Sequence, residues 1–171
     1  MFRSIMAALI LAALLWCANS DAAVTVNSAV TAQTPKSQGT SYIQGTDSAG
    51  TYKTIYSGGT NGSKIIGIYV TSTDGSTAHL VTIQLSSSTS SHCSTSCYGG
   101  AAVTIPVNAG SANGAPAINM MSAANWPGLP IDATSNPFLF ISGNTFTLEA
   151  TFASSLTSST QINIVVIAAD F

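Results

Sequence analysis

The tightest cluster of reactive side chains in this chain is His92-Cys93-Ser94-Thr95-Ser96-Cys97-Tyr98. Two closely spaced thiols in a protein with an export-type leader predict a Cys93–Cys97 disulfide, because oxidising compartments let such pairs form and persist. The competing chemistry is a metal site with His92 as third ligand. Zinc sites usually bring a second ligand pair, and none is present. A bridge over so short a loop stiffens a loop tip more than it stabilises a domain.

Other chemistry finds little to stand on. A serine nucleophile needs a histidine base and an orienting acid. Serines are abundant, but the histidines are His79 and His92 alone, and no Gly-x-Ser-x-Gly elbow occurs. Glycoside hydrolysis needs two carboxylates facing one bond. The acids beyond the leader are Asp47, Asp74, Asp132, Glu149 and Asp170, and their spacing suggests no pair. Asp74, before a glycine, reads as a turn residue, and Glu149 as a solvated side chain on a Thr-rich strand face. The chain therefore reads as non-enzymatic, with no cofactor and no catalytic metal. Sugar binding has better candidates, since a pyranose packs an apolar face on an aromatic ring while its hydroxyls meet polar partners. Trp126 with Asn125 and Asn136, or Tyr98 beside the cysteine loop, could form such a site. The competing reading of Trp126, which the flanking prolines favour, is a loop anchor tucked beneath Pro127 and Pro130.

These residues must be positioned by sheets. Hydrophobic residues make up 46% of the 171 residues and charged residues 6%, against a usual charged share of about 25%. Ser, Thr, Gly, Asn and Ala replace the missing charge, which suits pleated strands better than helices. The chain opens with a basic Met1-Phe2-Arg3-Ser4, an apolar Ile5–Ala18 and a small, polar stretch to Ala23. That order is a secretory signal peptide, residues 1–22 with cleavage after Ala22 or after Ala23. An uncleaved anchor is the alternative, although the run is shorter than the roughly 20 apolar residues a span needs. Residues 23–50 then read as an N-terminal strand and loop, and 51–171 as the main domain. The remaining Lys36, Lys53 and Lys64 stand against five acids, a net charge of −2 with no arginine. Such a surface has no footprint for phosphates, so nucleic acid is not an expected partner. No basic amphipathic helix suggests membrane binding after cleavage.

The strand pattern is clearest toward the C-terminus. Thr145–Ala153 alternates, with Phe146, Leu148, Ala150 and Phe152 expected inward. Ile162–Ala168 and Lys64–Thr73 are apolar on both faces, the latter with Ile66, Ile68 and Val70 expected on one side and Ile65, Gly67 and Tyr69 on the other. Val24–Thr34, Thr51–Tyr56, His79–Leu85, Ala102–Val107 and Phe138–Ser142 complete about eight strands. Pro35–Ala49 reads as a loop. Asn61-Gly62 marks a turn and Asp74-Gly75 a hairpin; Pro106 marks an edge or bulge. This spacing predicts an all-β fold, a single jelly-roll-like β-sandwich. Two-faced apolar strands with few charges also predict a homo-oligomer, trimer first by analogy with virus-particle jelly rolls.

Several segments recur in order: 54–74 (Thr-Ile-Tyr-Ser-Gly-Gly-Thr-Asn-Gly-Ser-Lys-Ile-Ile-Gly-Ile-Tyr-Val-Thr-Ser-Thr-Asp), Ile105-Pro106-Val107 with Ala109-Gly110 and Asn113-Gly114, Pro127-Gly128-Leu129-Pro130, Asn136-Pro137-Phe138-Leu139-Phe140 and the terminal Ala169-Asp170-Phe171. Together they resemble small virion-associated β-domain proteins encoded near tailed-phage capsid genes, over most of the chain from about Thr51. The resemblance implies a non-enzymatic capsid decoration or head-fibre protein of a phage or prophage, with capsid or particle proteins as partners. The leader and the cysteine pair depart from that pattern. They fit instead a secreted bacterial carbohydrate-binding or adhesin-like module, so the expected location is extracellular or, alternatively, the virion.

The cysteine reading has a direct check. Thiol labelling of the exported protein under denaturing conditions should find neither Cys93 nor Cys97 free. Labelling of both would place the chain in a reducing compartment.

Overall fold

A computed structural model describes residues 34–87, 97–111 and 114–171. The strand expected at Val24–Thr34 thus lies outside them except for Thr34. Nine strands form over the described residues: β1 Thr34–Ile43, β2 Lys53–Ser57, β3 Ser63–Ser72, β4 His79–Ser86, β5 Cys97–Ile105, β6 Ile118–Asn119, β7 Leu139–Ile141, β8 Thr147–Phe152 and β9 Gln161–Asp170, with one 3-10 turn at Gly143–Thr145. They make two antiparallel sheets. One runs β1-β9-β3, with β7 and β6 both on the free side of β3; the other runs β2-β8-β4-β5. The chain changes sheet between most successive strands. With β6 and β7 read as one interrupted strand, order and crossings are those of an eight-stranded jelly roll.

Three local expectations change. Pro35–Ala49 is not all loop, because residues 34–43 form β1 and pair with β9 in full register. Tyr42 and Ile43 are its only large apolar residues, so its place depends on backbone bonding to β9 rather than on its own pattern; the sandwich therefore includes residues before 51. Asp74-Gly75 is not a hairpin. β3 and β4 lie in opposite sheets, so this turn is an arch that sets Ile68 and Val70 against Val81 and Ile83 across the core. Third, a β-bulge interrupts the β3–β9 register between Ile65 and Gly67. The extra residue turns Ile66 outward, 52% exposed, while Ile65 is fully buried, the reverse of simple alternation. Pro106 follows β5, an edge strand, as its missing donor requires.

The core is the space between the sheets. Ile65, Ile68 and Val70 of β3 and Ile162, Ile164 and Val166 of β9 face Val81 and Ile83 of β4 and Leu148, Ala150 and Phe152 of β8, all fully buried. Tyr42 reaches across from β1, stacks edge-on against Phe152 at 5.0 Å and donates its hydroxyl to the Ala150 carbonyl. Glu149 departs from expectation. Its strand position is outward as read, but it is only 5% exposed, and Gln84 donates to its carboxylate at 3.4 Å. β8 lies between β2 and β4, so neighbouring side chains crowd this face.

Where the chain ends, β9 is tied to three other strands. Tyr56 (2.6 Å) and Ser63 (2.5 Å) donate to Asp170 Oδ1, and Lys36 pairs with Oδ2 at 3.3 Å. Burial would raise the Asp170 carboxyl, but these donors hold it below the ordinary carboxylate range. Burial, reinforced by the bond to Asp170, pushes the Tyr56 hydroxyl up to about 12. A Cβ on Gly59 would sit 2.8 Å from Asp170 Cγ, so only glycine lets this turn close over the carboxylate. Removing a buried acceptor costs about 1–3 kcal/mol. D170A should therefore lower the denaturation midpoint by that equivalent without changing the slope of the transition.

Candidate functional site

The outer face of the β1-β9-β3 sheet carries the residues with most to offer a partner. Its exposed row includes Ile66 and Tyr69 of β3, Val165 and Ile167 of β9 and Phe140 of β7, each 37–54% exposed. Tyr69 stands opposite Val165 on one side and Asn119 on the other, and Lys64 stands opposite Phe140, so these side chains share the face.

At the β3 edge this face deepens into a cleft of about 340 Å³. β3 supplies Lys64, Ile66 and Tyr69, β6 supplies Asn119, and the segment before β7 supplies Asp132, Asn136, Pro137 and Phe138. The Tyr69 ring leans over Gly67, where a Cβ would meet its Cε2 at 2.8 Å. Lys64 Nζ sits 4.8 Å from the Phe138 ring centre, and Phe138 packs edge-on against Phe140 at 5.0 Å. Residues 131–137 fold into a closed turn. Asp132 N–H donates to the Asn136 carbonyl (2.9 Å), and Asp132 Oδ1 accepts from the Thr134 N–H (2.9 Å), the Thr134 hydroxyl (2.7 Å) and the Asn136 N–H (2.9 Å). The Thr134 hydroxyl and the Asn136 N–H lead these bonds in lowering the Asp132 carboxyl below its usual range. Because the Thr134 hydroxyl donates to Asp132, it must accept from Asn136 Nδ2 at 2.7 Å. That relay leaves Asn136 Oδ1 pointing away as an acceptor.

Of the four residues singled out for ligand binding, the structure places Asn136 in this cleft and Asn125 behind it. Asn125 Nδ2 donates to the Asn119 carbonyl at 2.8 Å, bracing β6. Trp126 is 7% exposed and belongs to the core cluster, the placement of an anchor. The Tyr98 and Cys97 backbones lie in β5, and their side chains and all of Cys93 fall outside the described residues. Lys64, Tyr69, Asn119, Asp132 and Phe138 were not legible as one site. They come together only because β6 and β7 pair with the same strand.

A second cluster has the order of a hydrolytic triad. His79 Nδ1 lies 2.9 Å from Ser154 Oγ and 3.2 Å from the Ser154 carbonyl, while His79 Nε2 lies 2.9 Å from Asp74 Oδ2. In serine hydrolysis the imidazole must pass a proton to the leaving group and so must meet substrate. The His79 and Asp74 side chains are both 0% exposed, and this arrangement serves as a clamp. It ties the β3–β4 arch to the β8–β9 connection, because Asp74 also accepts from the Ser76, Thr77 and Thr157 N–H groups.

Burial would raise the Asp74 carboxyl, but the His79 bond and these N–H donors outweigh it and hold the group well below the ordinary range. A depressed folded-state pKa gives stability that is present above the unfolded value near about 3.9 and is lost as pH falls below it. D74N should cost about 1–3 kcal/mol at pH 7, the usual penalty for leaving buried donors without their acceptor. It should also flatten the loss of stability that sets in as pH falls below about 5 and continues toward the depressed folded-state value. Equal pH slopes in denaturant titrations of both proteins would contradict the clamp.

No protein-family model matches the chain, and no curated protein matches it. Among solved structures the chain is similar to one described as the cyanophage Pam1 capsid asymmetric unit, at 13% identity over 80% of this chain and 85% of that one, with a TM-score of 0.36. At that level the likeness bears on neither fold nor function.

Proposed function

We propose that this protein is a non-enzymatic, surface-presenting component of a phage or prophage particle, a capsid decoration or fibre-like jelly roll that assembles through the outer face of its β1-β9-β3 sheet. One observation carries the reading: Val165, Ile167 and Phe140 stand in solvent on that face, while Ile66 and Tyr69 line the cleft at its β3 edge. A sheet that faces only water alternates apolar-in with polar-out. β9 instead places Val165 and Ile167 outward, between the buried Ile164, Val166 and Ala168. Contiguous apolar surface of this kind marks interfaces, and a chain with 6% charged residues has little else to keep copies apart. The resemblance of its ordered motifs to capsid-linked β-domains supports the particle, and a symmetric homo-oligomer, trimer first, is the simplest way to cover the face.

Mass spectrometry of purified phage particles should find this chain. Its absence there, with presence in the culture supernatant, would remove the particle and leave a secreted module. Light scattering on the full protein at micromolar concentration should give a multiple of the chain mass, and I167K should give a folded monomer that unfolds cooperatively at a lower midpoint. A monomeric unmodified protein would sink the assembly.

A further inference from the structure

We infer that the cleft beside β3 is a saccharide site, whose ligand is a pyranose unit. Tyr69 must then stay open to solvent when copies assemble over Val165 and Ile167. The cleft's volume of about 340 Å³ falls at the low end of the roughly 300–1,000 Å³ typical of ligand sites. The lining pairs two aromatic rings with polar groups that keep some hydrogen-bonding capacity, although the Lys64 charge also helps lower the Asp132 carboxyl. Among the described residues, Lys64 Nζ makes a contact with the Phe138 ring and no ion pair. Asn119 Oδ1 accepts from the Met121 N–H at 3.0 Å, which fixes Asn119 Nδ2 as a donor. Asn136 spends its Nδ2 on Thr134 and keeps Oδ1 as an acceptor. Asp132 spends Oδ1 on the closed turn, and Oδ2 has no hydrogen bond within the described residues.

The cleft therefore offers donors from Lys64 and Asn119 and acceptors from Asn136 and Asp132 beside two aromatic rings. A pyranose has that chemistry: hydroxyls that both donate and accept around its rim, and C–H faces that pack on aromatics. A purely anionic ligand would meet the Asp132 carboxylate, and a purely apolar one would strand Lys64 and both amides without water, at a cost for each. Gly67 completes the case. Gly67, just after the bulge, has no side chain, so the Tyr69 ring can lie back over the sheet, where a Cβ would come within 2.8 Å. The ring is 38% exposed there. Rigid aromatic area held in place this way lowers the entropy lost on binding.

The test uses the full protein on an array of bacterial surface oligosaccharides, with calorimetry on the strongest binder. Binding should weaken at least tenfold in Y69A and in N136A. It should also weaken in G67A, which removes no contacting group and only displaces the Tyr69 ring; its thermal midpoint should match that of the unmodified protein. I43S, on β1 away from the cleft, should bind normally. Failure of every oligosaccharide to bind, or a binder whose affinity is unchanged in Y69A, N136A and G67A, would overturn the inference. Should Y69A unfold, N136A and G67A still decide it.

Discussion

The structure depends on the central position of β9. The last strand of the chain pairs with β1 along its length on one side and with β3 on the other. Both pairings join residues far apart in sequence, so the sheet cannot close until the C-terminus is in place. Its inner row, Ile162, Ile164, Val166 and Ala168, is buried against the facing sheet, and its outer row includes Val165 and Ile167 in solvent. The remaining features follow from this. The polar β1 is a strand because β9 offers it a full backbone ladder. Asp170 ends the strand where Tyr56, Ser63 and Lys36 converge. The β3 bulge that turns Ile66 outward is a register shift against β9.

Much of this was legible in the residues. Two-faced apolar runs at Lys64–Thr73 and Ile162–Ala168 mark interior strands, and β3 and β9 are interior. Thr147–Phe152 alternates, and Leu148, Ala150 and Phe152 are buried. What the pattern does not carry is which sheet receives the next strand. Asp74-Gly75 says that the chain turns; only the placement of β3 and β4 in opposite sheets makes that turn an arch. β1 was hidden for the opposite reason, because a strand held by its neighbour's backbone needs no pattern of its own. Glu149 shows that outward is not the same as exposed, since a strand between two others has side chains on both flanks.

The sites divide along the same line. Asp74 is a turn residue, as its type suggests, but its role as the acceptor that ties His79 and Thr157 to the arch depends on burial. The cleft was legible only at Asn136. Its other walls lie on separate strands brought side by side by the interrupted β6 and β7. A buried clamp on one connection and an open, partly polar cleft on one face give the two sides of the fold different work. The clamp holds the arch rigid, and the face is left free to meet other molecules.

The central claim is that the outer face of the β1-β9-β3 sheet is an interface and not a solvent face. A cryo-electron microscopy reconstruction of the intact assembly tests it most directly. The account predicts Val165, Ile167 and Phe140 packed against a neighbouring subunit. A reconstruction in which these side chains face bulk solvent, with the copies joined through other surfaces, would contradict it.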